Sequence, residues 1–146
     1  MKALIQRVNF SKMKIEDEPF SEIKKGFLVL LGVESGDNEK DFEYIKKKII
    51  NLRIFEDENG KMNLNIKQVN GEIMLVSQFT LCADCRQGNR PSFTNAEKPE
   101  IANVIYERMI EEIRKDNIKV ETGKFGAYMK INFENDGPVT ILLESK

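Results

Sequence analysis

Ser77-Gln78-Phe79-Thr80-Leu81 places two hydroxyls and a side-chain amide directly after an apolar run, in a chain with no histidine. Backbone amides at a strand end lose their ladder partners and can serve as donors to a developing oxyanion. The Ser77 and Thr80 hydroxyls can donate and accept hydrogen bonds there. The same residues also read as a plain strand followed by a Ser/Thr turn whose side chains satisfy nearby backbone. Missing histidine excludes the commonest neutral-pH base and the usual serine-hydrolase triad. A hydroxyl nucleophile needs an adjacent base, and the sequence shows none beside Ser77 or Thr80. Hydrolysis here must use backbone donors, hydroxyls or a group that the substrate brings.

Three further stretches hold chemistry-bearing residues. Asn135-Asp136-Gly137-Pro138-Val139-Thr140 is a turn signal just before an apolar run. An X-Pro bond takes the cis form at modest cost, and a fixed cis bond would aim two successive carbonyls the same way. Phe125-Gly126-Ala127-Tyr128-Met129 is either core packing with a bulge at Gly126, or a pocket walled by Phe125 and Met129 over a backbone floor. Cys82 and Cys85 form one Cys-Ala-Asp-Cys, with no second pair or histidine to complete a four-ligand zinc site within the chain. The loop-like Arg86-Gln87-Gly88-Asn89-Arg90-Pro91 that follows speaks against a thioredoxin-type pair. Two reduced thiols is the reading, with a metal site shared across a dimer axis as the alternative.

The elements that must position these residues are legible from periodicity. Lys2 to Val8 predicts a strand, with Lys12 to Ile15 as its partner after a short turn. Gly26 to Val33 is nearly all apolar, which suits a central strand buried on both faces. Asp37 is placed as the N-cap of a helix whose Phe42, Ile45, Ile49 and Leu52 recur at helical spacing. Ile54-Phe55 and Met62 to Leu64 flank Asn59-Gly60 as a hairpin. Glu72 to Ser77 predicts another strand, followed by a polar loop from Ala83 to about Glu97.

Pro99 suits a first helical turn, and Ile101, Val104, Ile105, Met109 and Ile113 form the expected buried stripe. Ile118 to Glu121, Ala127 to Phe133 and Val139 to Leu143 read as strands, the last two as an antiparallel hairpin. The fold class that follows is α/β in the broad α+β sense. It is one compact domain over residues 1–146, a curved or barrel-like sheet covered by two main helices.

Composition narrows the function classes. A length of 146 residues suits one core, and 40% hydrophobic with 32% charged residues is neither disordered nor membranous. The apolar run Phe27 to Leu31 falls far short of the ~20 residues that span a bilayer. In Met1-Lys2-Ala3-Leu4-Ile5-Gln6-Arg7-Val8 a charge interrupts the apolar residues too soon for a signal peptide, so cytoplasmic residence is expected. With a net charge of −1, nucleic-acid contact must come from a local patch. Lys46-Lys47-Lys48 shares its helical pattern with Glu39, Asp41 and Glu43 and reads as a solvated face.

In combination the motifs carry more than they do singly. Ser77 to Leu81, Arg90-Pro91-Ser92-Phe93, Gly123 to Met129 and Asn135 to Thr140 occur in one order behind Met1-Lys2-Ala3-Leu4-Ile5-Gln6-Arg7-Val8. From residue 1 to about residue 144 the chain resembles the D-aminoacyl-tRNA deacylase family. The resemblance implies a homodimer that hydrolyses the ester between a D-amino acid, or glycine, and the 3′ ribose of a tRNA. No cofactor or metal and no membrane are implied.

The resemblance assigns Ser77, Gln78, Phe79 and Thr80 to catalysis, with the Gln78 and Phe79 amides holding the ester carbonyl. Arg7, Phe125, Met129 and Thr140 complete the pocket. Gly137-Pro138, in the cis form, would enter the partner subunit's pocket, engage the substrate amino group and exclude an L side chain. The terminal ribose 2′-hydroxyl would activate the attacking water, with Thr80 as nucleophile the older alternative. The chain departs from the family pattern at Cys82 and Cys85, and its basic loop is modest, because Gln87-Gly88-Asn89 separates Arg86 from Arg90. Weak, salt-sensitive tRNA binding would follow. Two rival readings stand beside this one: a non-catalytic RNA-binding domain, and a small esterase using Thr80 or Cys82.

Overall fold

The chain wraps one strongly curved sheet over two helices, and a computed structural model describes residues 1–146. In chain order the elements are β1 (Lys2–Ile15), β2 (Glu18–Ile23), β3 (Gly26–Gly32), α1 (Glu39–Asn51), β4 (Phe55–Glu56), β5 (Met62–Leu64) and β6 (Glu72–Ser77). A 3-10 turn (Phe79–Cys82), α2 (Pro99–Arg114), β7 (Val120–Thr122) and β8 (Met129–Glu144) follow. The large sheet runs β2-β1-β3-β6-β7, with β8 on β1 as well, and β4-β5 is a separate hairpin. Barrel-like curvature and mixed α+β architecture both match the expectation from the sequence.

β3 shows why the sheet can hold a site. Phe27, Val29 and Leu31 face the helices and join a cluster of 23 buried residues that includes Phe42, Ile45 and Ile49 of α1 and Met109 and Ile113 of α2. Leu28 faces the other way and joins a second buried cluster with Val8, Met13, Met74 and Val76 on the opposite face of the sheet. Both faces are therefore apolar, as expected for a central strand. Each fully buried side chain of this kind stabilises by roughly 1.5–3 kcal/mol. β3 and β6 run parallel, with Leu31 beside Ser77 at the site end.

Several expectations are corrected. No turn separates Lys2–Val8 from Lys12–Ile15. β1 runs through both because its middle pairs with β8 (Phe10 with Glu134, Ser11 with Phe133). The turn falls instead at Glu16-Asp17, both at positive φ, and β2 is the partner of Lys12–Ile15. Ala127–Phe133 and Val139–Leu143 likewise form no hairpin with each other. Met129–Glu144 is a single strand antiparallel to β1, and Asp136 to Val139 form an irregularity where the register shifts between Gln6 and Val8.

The N-cap of α1 is Asn38, in a capping box with Asp41. Asp37 instead accepts from the Glu34 amide at 2.7 Å and pairs with Lys146 at 3.0 Å. On α2 the buried stripe is Ala102, Tyr106, Met109, Ile110 and Ile113, while Ile101 and Val104 are exposed. β7 begins at Val120, two residues later than expected.

Candidate active site

β6 carries the chain out of the core at Ser77. Its parallel ladder with β3 reaches one residue further, because the Gln78 amide donates to the Leu31 carbonyl at 2.7 Å. The 3-10 turn then folds back, with Leu81 N on Gln78 O and Ala83 N on Thr80 O, each at 3.2 Å. It can lie this close to β3 because Gly32 has no side chain. A Cβ there would stand 3.1 Å from Cys82 Sγ and 3.2 Å from Gln78 O. The Phe79 and Thr80 amides open the turn, and none of its hydrogen bonds engages them. The Gln78 side-chain amide donates to Thr80 Oγ1. The sequence placed the carbonyl-binding pair at the Gln78 and Phe79 amides. The structure commits the Gln78 amide to the ladder, so the free pair is Phe79 and Thr80.

A cavity of about 630 Å³ opens beside this strand end. That volume lies within the ~300–1,000 Å³ of small-molecule sites. Ser77, Gln78 and Phe79 form one wall, Lys98 and Ala102 from the start of α2 form a second, and Phe125, Tyr128 and Met129 a third. Phe93 closes the rim edge-to-face against Phe79, ring centroids 5.1 Å apart.

Behind the third wall, Phe125 leans on Tyr106 with centroids 6.2 Å apart. The Tyr106 hydroxyl donates to the Leu75 carbonyl at 2.8 Å, and the Gly123 amide donates to the same oxygen at 3.3 Å. That junction ties α2, β6 and the Gly123–Met129 segment together. Burial pushes the Tyr106 pKa up to about 12.

Gly137 and Pro138 lie elsewhere. The peptide bond between them is cis, Gly137 has φ 132°, and both residues are exposed. Arg7 holds this bend from beneath while only 5% exposed. Its Nε donates to the Asp136 carbonyl at 3.0 Å, its Nη1 to the Ile54 carbonyl at 2.7 Å, and it pairs with the Asp136 carboxylate at 3.2 Å. Thr140 Oγ1 accepts from Asn135 Nδ2 at 2.9 Å.

Within one protomer, then, the expected site divides in two. Ser77, Gln78, Phe79, Phe125 and Met129 line the cavity, and Thr80 sits exposed just past its wall. Arg7 and Thr140 do not line it and instead support the bend that carries Gly137 and Pro138. Phe93 and Tyr128 lie in motifs the sequence had marked, but their place on the cavity was not read. Lys98 and Ala102 reach it through the packing of α2, which leaves no local signal.

The family model described as D-Tyr-tRNA(Tyr) deacylase matches residues 4–144. This chain belongs to that family. Among the deacylase relatives, a D-aminoacyl-tRNA deacylase from Thermosipho melanesiensis is 56% identical over 100% of this chain and 98% of its own length. One from Clostridioides difficile strain 630 is 50% identical over 99% and 97%. A solved structure titled "c-Myc DNA Unwinding Element Binding Protein" superposes with a TM-score of 0.94 at 43% identity, covering 100% of this chain and 99% of that one. A probable eukaryotic D-amino acid tRNA deacylase, at 15% identity and TM-score 0.81, shares the fold.

Deacylases are ester hydrolases, and the strand end brings together what an ester needs: free backbone donors, the Ser77 hydroxyl on the wall with Thr80 just past it, and an apolar chamber. Neither thiol is placed as a nucleophile. Cys82 is buried with its pKa pushed up by that burial, and Cys85 is exposed on the loop. That loop is pinned by a bridge between Asp84 and Ser92, and the Arg86 guanidinium holds the Asp84 carboxyl well below the usual carboxylate range. No helix is long and apolar enough to cross a membrane.

Proposed function

We infer that this deacylase-family chain frees D-amino acids, and glycine, from the 3′ end of tRNA, and that two copies are needed to do it. The observation that carries the reading is the strand end itself. The Phe79 and Thr80 amides stand free beside a chamber sized for an aminoacyl-nucleoside, with no histidine in the chain. Those amides hold the ester carbonyl and stabilise the tetrahedral oxyanion. Water attacks the carbonyl carbon, the ribose oxygen leaves with a proton, and the free carboxylate remains. The base for that water is the neighbouring 2′-hydroxyl of the substrate ribose. Thr80 Oγ1 already accepts from the Gln78 side chain and has no base beside it to make it a nucleophile.

Handedness is set by exclusion. Gly137 and Pro138 are exposed and absent from their own protomer's cavity, and β8, which carries them, pairs only with β1. A second copy docked along that side brings its bend to this cavity. There the Gly137 and Pro138 carbonyls meet the substrate α-amino group and occupy the space of an L side chain. A clash needs no recognition of side-chain identity, so many D-amino acids pass, and glycine has nothing to clash.

Purified protein is expected to release D-tyrosine from D-tyrosyl-tRNA and leave the L-tyrosyl ester intact. Equal rates on both esters would remove the filter, and no release would remove the activity. Thr80→Ala is expected to keep kcat within about tenfold of the parent, whereas loss of a true nucleophile costs orders of magnitude more.

A further inference from the structure

Tyr128 stands apart from every other aromatic in the chain. It is 82% exposed, more than any other large apolar side chain, yet it borders the cavity. Its neighbours Ala127 and Met129 are half-buried, so the segment leading into β8 is seated by their packing and Tyr128 adds little to the protomer's stability. Two cationic residues lie on the elements around it. Lys98 lines the same cavity, and Lys124 opens the turn in which the Ala127 amide donates to the Lys124 carbonyl at 3.1 Å. No ion pair engages Lys98 or Lys124, whereas Lys130, two residues beyond Tyr128, is paired with Asp17. Glu97 lines the cavity next to Lys98 but is not ion-paired with it, so an open aromatic face with two lysines free of ion pairs fits a planar ring joined to a phosphate.

We propose that Tyr128 is a stacking platform for the nucleobase one position 5′ of the aminoacylated nucleotide, with Lys98 and Lys124 neutralising the phosphate between them. The inference rests on the deacylase reading. A cavity of about 630 Å³ has room for the aminoacyl-nucleoside only, so the preceding nucleotide must leave across the rim. Every base offers a π-face, so such a platform holds RNA without reading sequence, and base–aromatic stacking supports roughly tenfold in binding. Tyr128 acts on the grip on the strand rather than on the reacting atoms, so its effect belongs in KM rather than kcat.

Steady-state hydrolysis by Tyr128→Ala, Tyr128→Phe and the parent, on D-tyrosyl-tRNA and on D-tyrosyl-adenosine, tests this. Tyr128→Ala is expected to raise KM for the tRNA about tenfold, with kcat within twofold. The loss on tRNA should exceed the loss on the adenosine ester at least fivefold, and Tyr128→Phe should track the parent. Equal losses on both substrates, no loss on tRNA, or a changed oligomeric state in Tyr128→Ala would each overturn the platform.

Should the parent cleave neither ester, the deacylase reading fails by itself. Anisotropy of a fluorescent CCA trinucleotide then still decides the platform, since Tyr128→Ala must weaken that binding several-fold and equal binding overturns it.

Discussion

The cavity and the Gly137-Pro138 bend are built on opposite principles. The cavity stands at the end of β3 and β6, whose side chains are buried on both faces, and its far wall is braced by Tyr106 on the Leu75 carbonyl. The bend projects from β8, and it is tied to the core by the Arg7 side chain and by Val139 at the edge of the buried cluster. A chamber that must hold backbone donors in fixed positions draws on the most cooperative part of the molecule. A device that only has to obstruct can be small and exposed, provided one buried anchor keeps it in place.

The sharpest way to break this contrast is Gly137→Val. A Cβ at Gly137 would lie 2.8 Å from Val139 Cγ2 and 3.2 Å from Arg7 Nη2, at a φ of 132° that side chains rarely adopt. Displacing the bend by about 1 Å is expected to cost roughly a hundredfold in kcat/KM on D-tyrosyl-tRNA or to admit the L ester. The melting temperature should move by only a few degrees, since Val139 is the one core side chain that the new Cβ presses and it lies at the cluster's edge. A large melting shift with unaltered chiral selectivity would erase the distinction between the two regions.

Arg7→Met comes next and probes the anchor. It strands the Ile54 and Asp136 carbonyls, which is expected to destabilise by about 2 kcal/mol in urea unfolding. Chiral selectivity should drop with it, while D-tyrosyl-adenosine still binds the cavity.

The smallest effect lies on the braced side. Burial lifts Tyr106 from its ordinary 10.0 to about 12, so the folded chain holds that proton more tightly than the unfolded chain. The stability this supplies is whole below pH 10 and disappears as pH rises through about 12. Tyr106→Phe should therefore lose stability less steeply than the parent between those two values in parallel thermal melts. Identical slopes would remove Tyr106 as a brace.

What the sequence disclosed follows from where the information is local. The all-apolar Gly26–Gly32 strand and the helical spacing of Phe42, Ile45 and Ile49 carry their own periodicity, and both elements stand as expected. Asn9-Phe10-Ser11 and Asn135 to Pro138 look like turns in isolation. Neither reverses the chain, because β1 and β8 run antiparallel through both, and that pairing spans more than a hundred residues of sequence. The same blindness explains the site. Ser77 to Phe79 and Phe125 to Met129 advertise themselves by composition, but that Arg7 belongs with Asp136 rather than with the cavity is a fact of register. The diversion of the Gln78 amide is subtler still, since only the length of the β3–β6 ladder decides it.

The two free thiols have a practical consequence. Cys82 is buried at the end of the 3-10 turn, while Cys85 is open on the loop that Asp84 and Ser92 pin at its base. A maleimide dye should therefore attach at one place in the native protein without any engineering, a short way along the chain from Phe93 on the rim. Changes in its brightness would turn the arrival and departure of RNA into an optical signal.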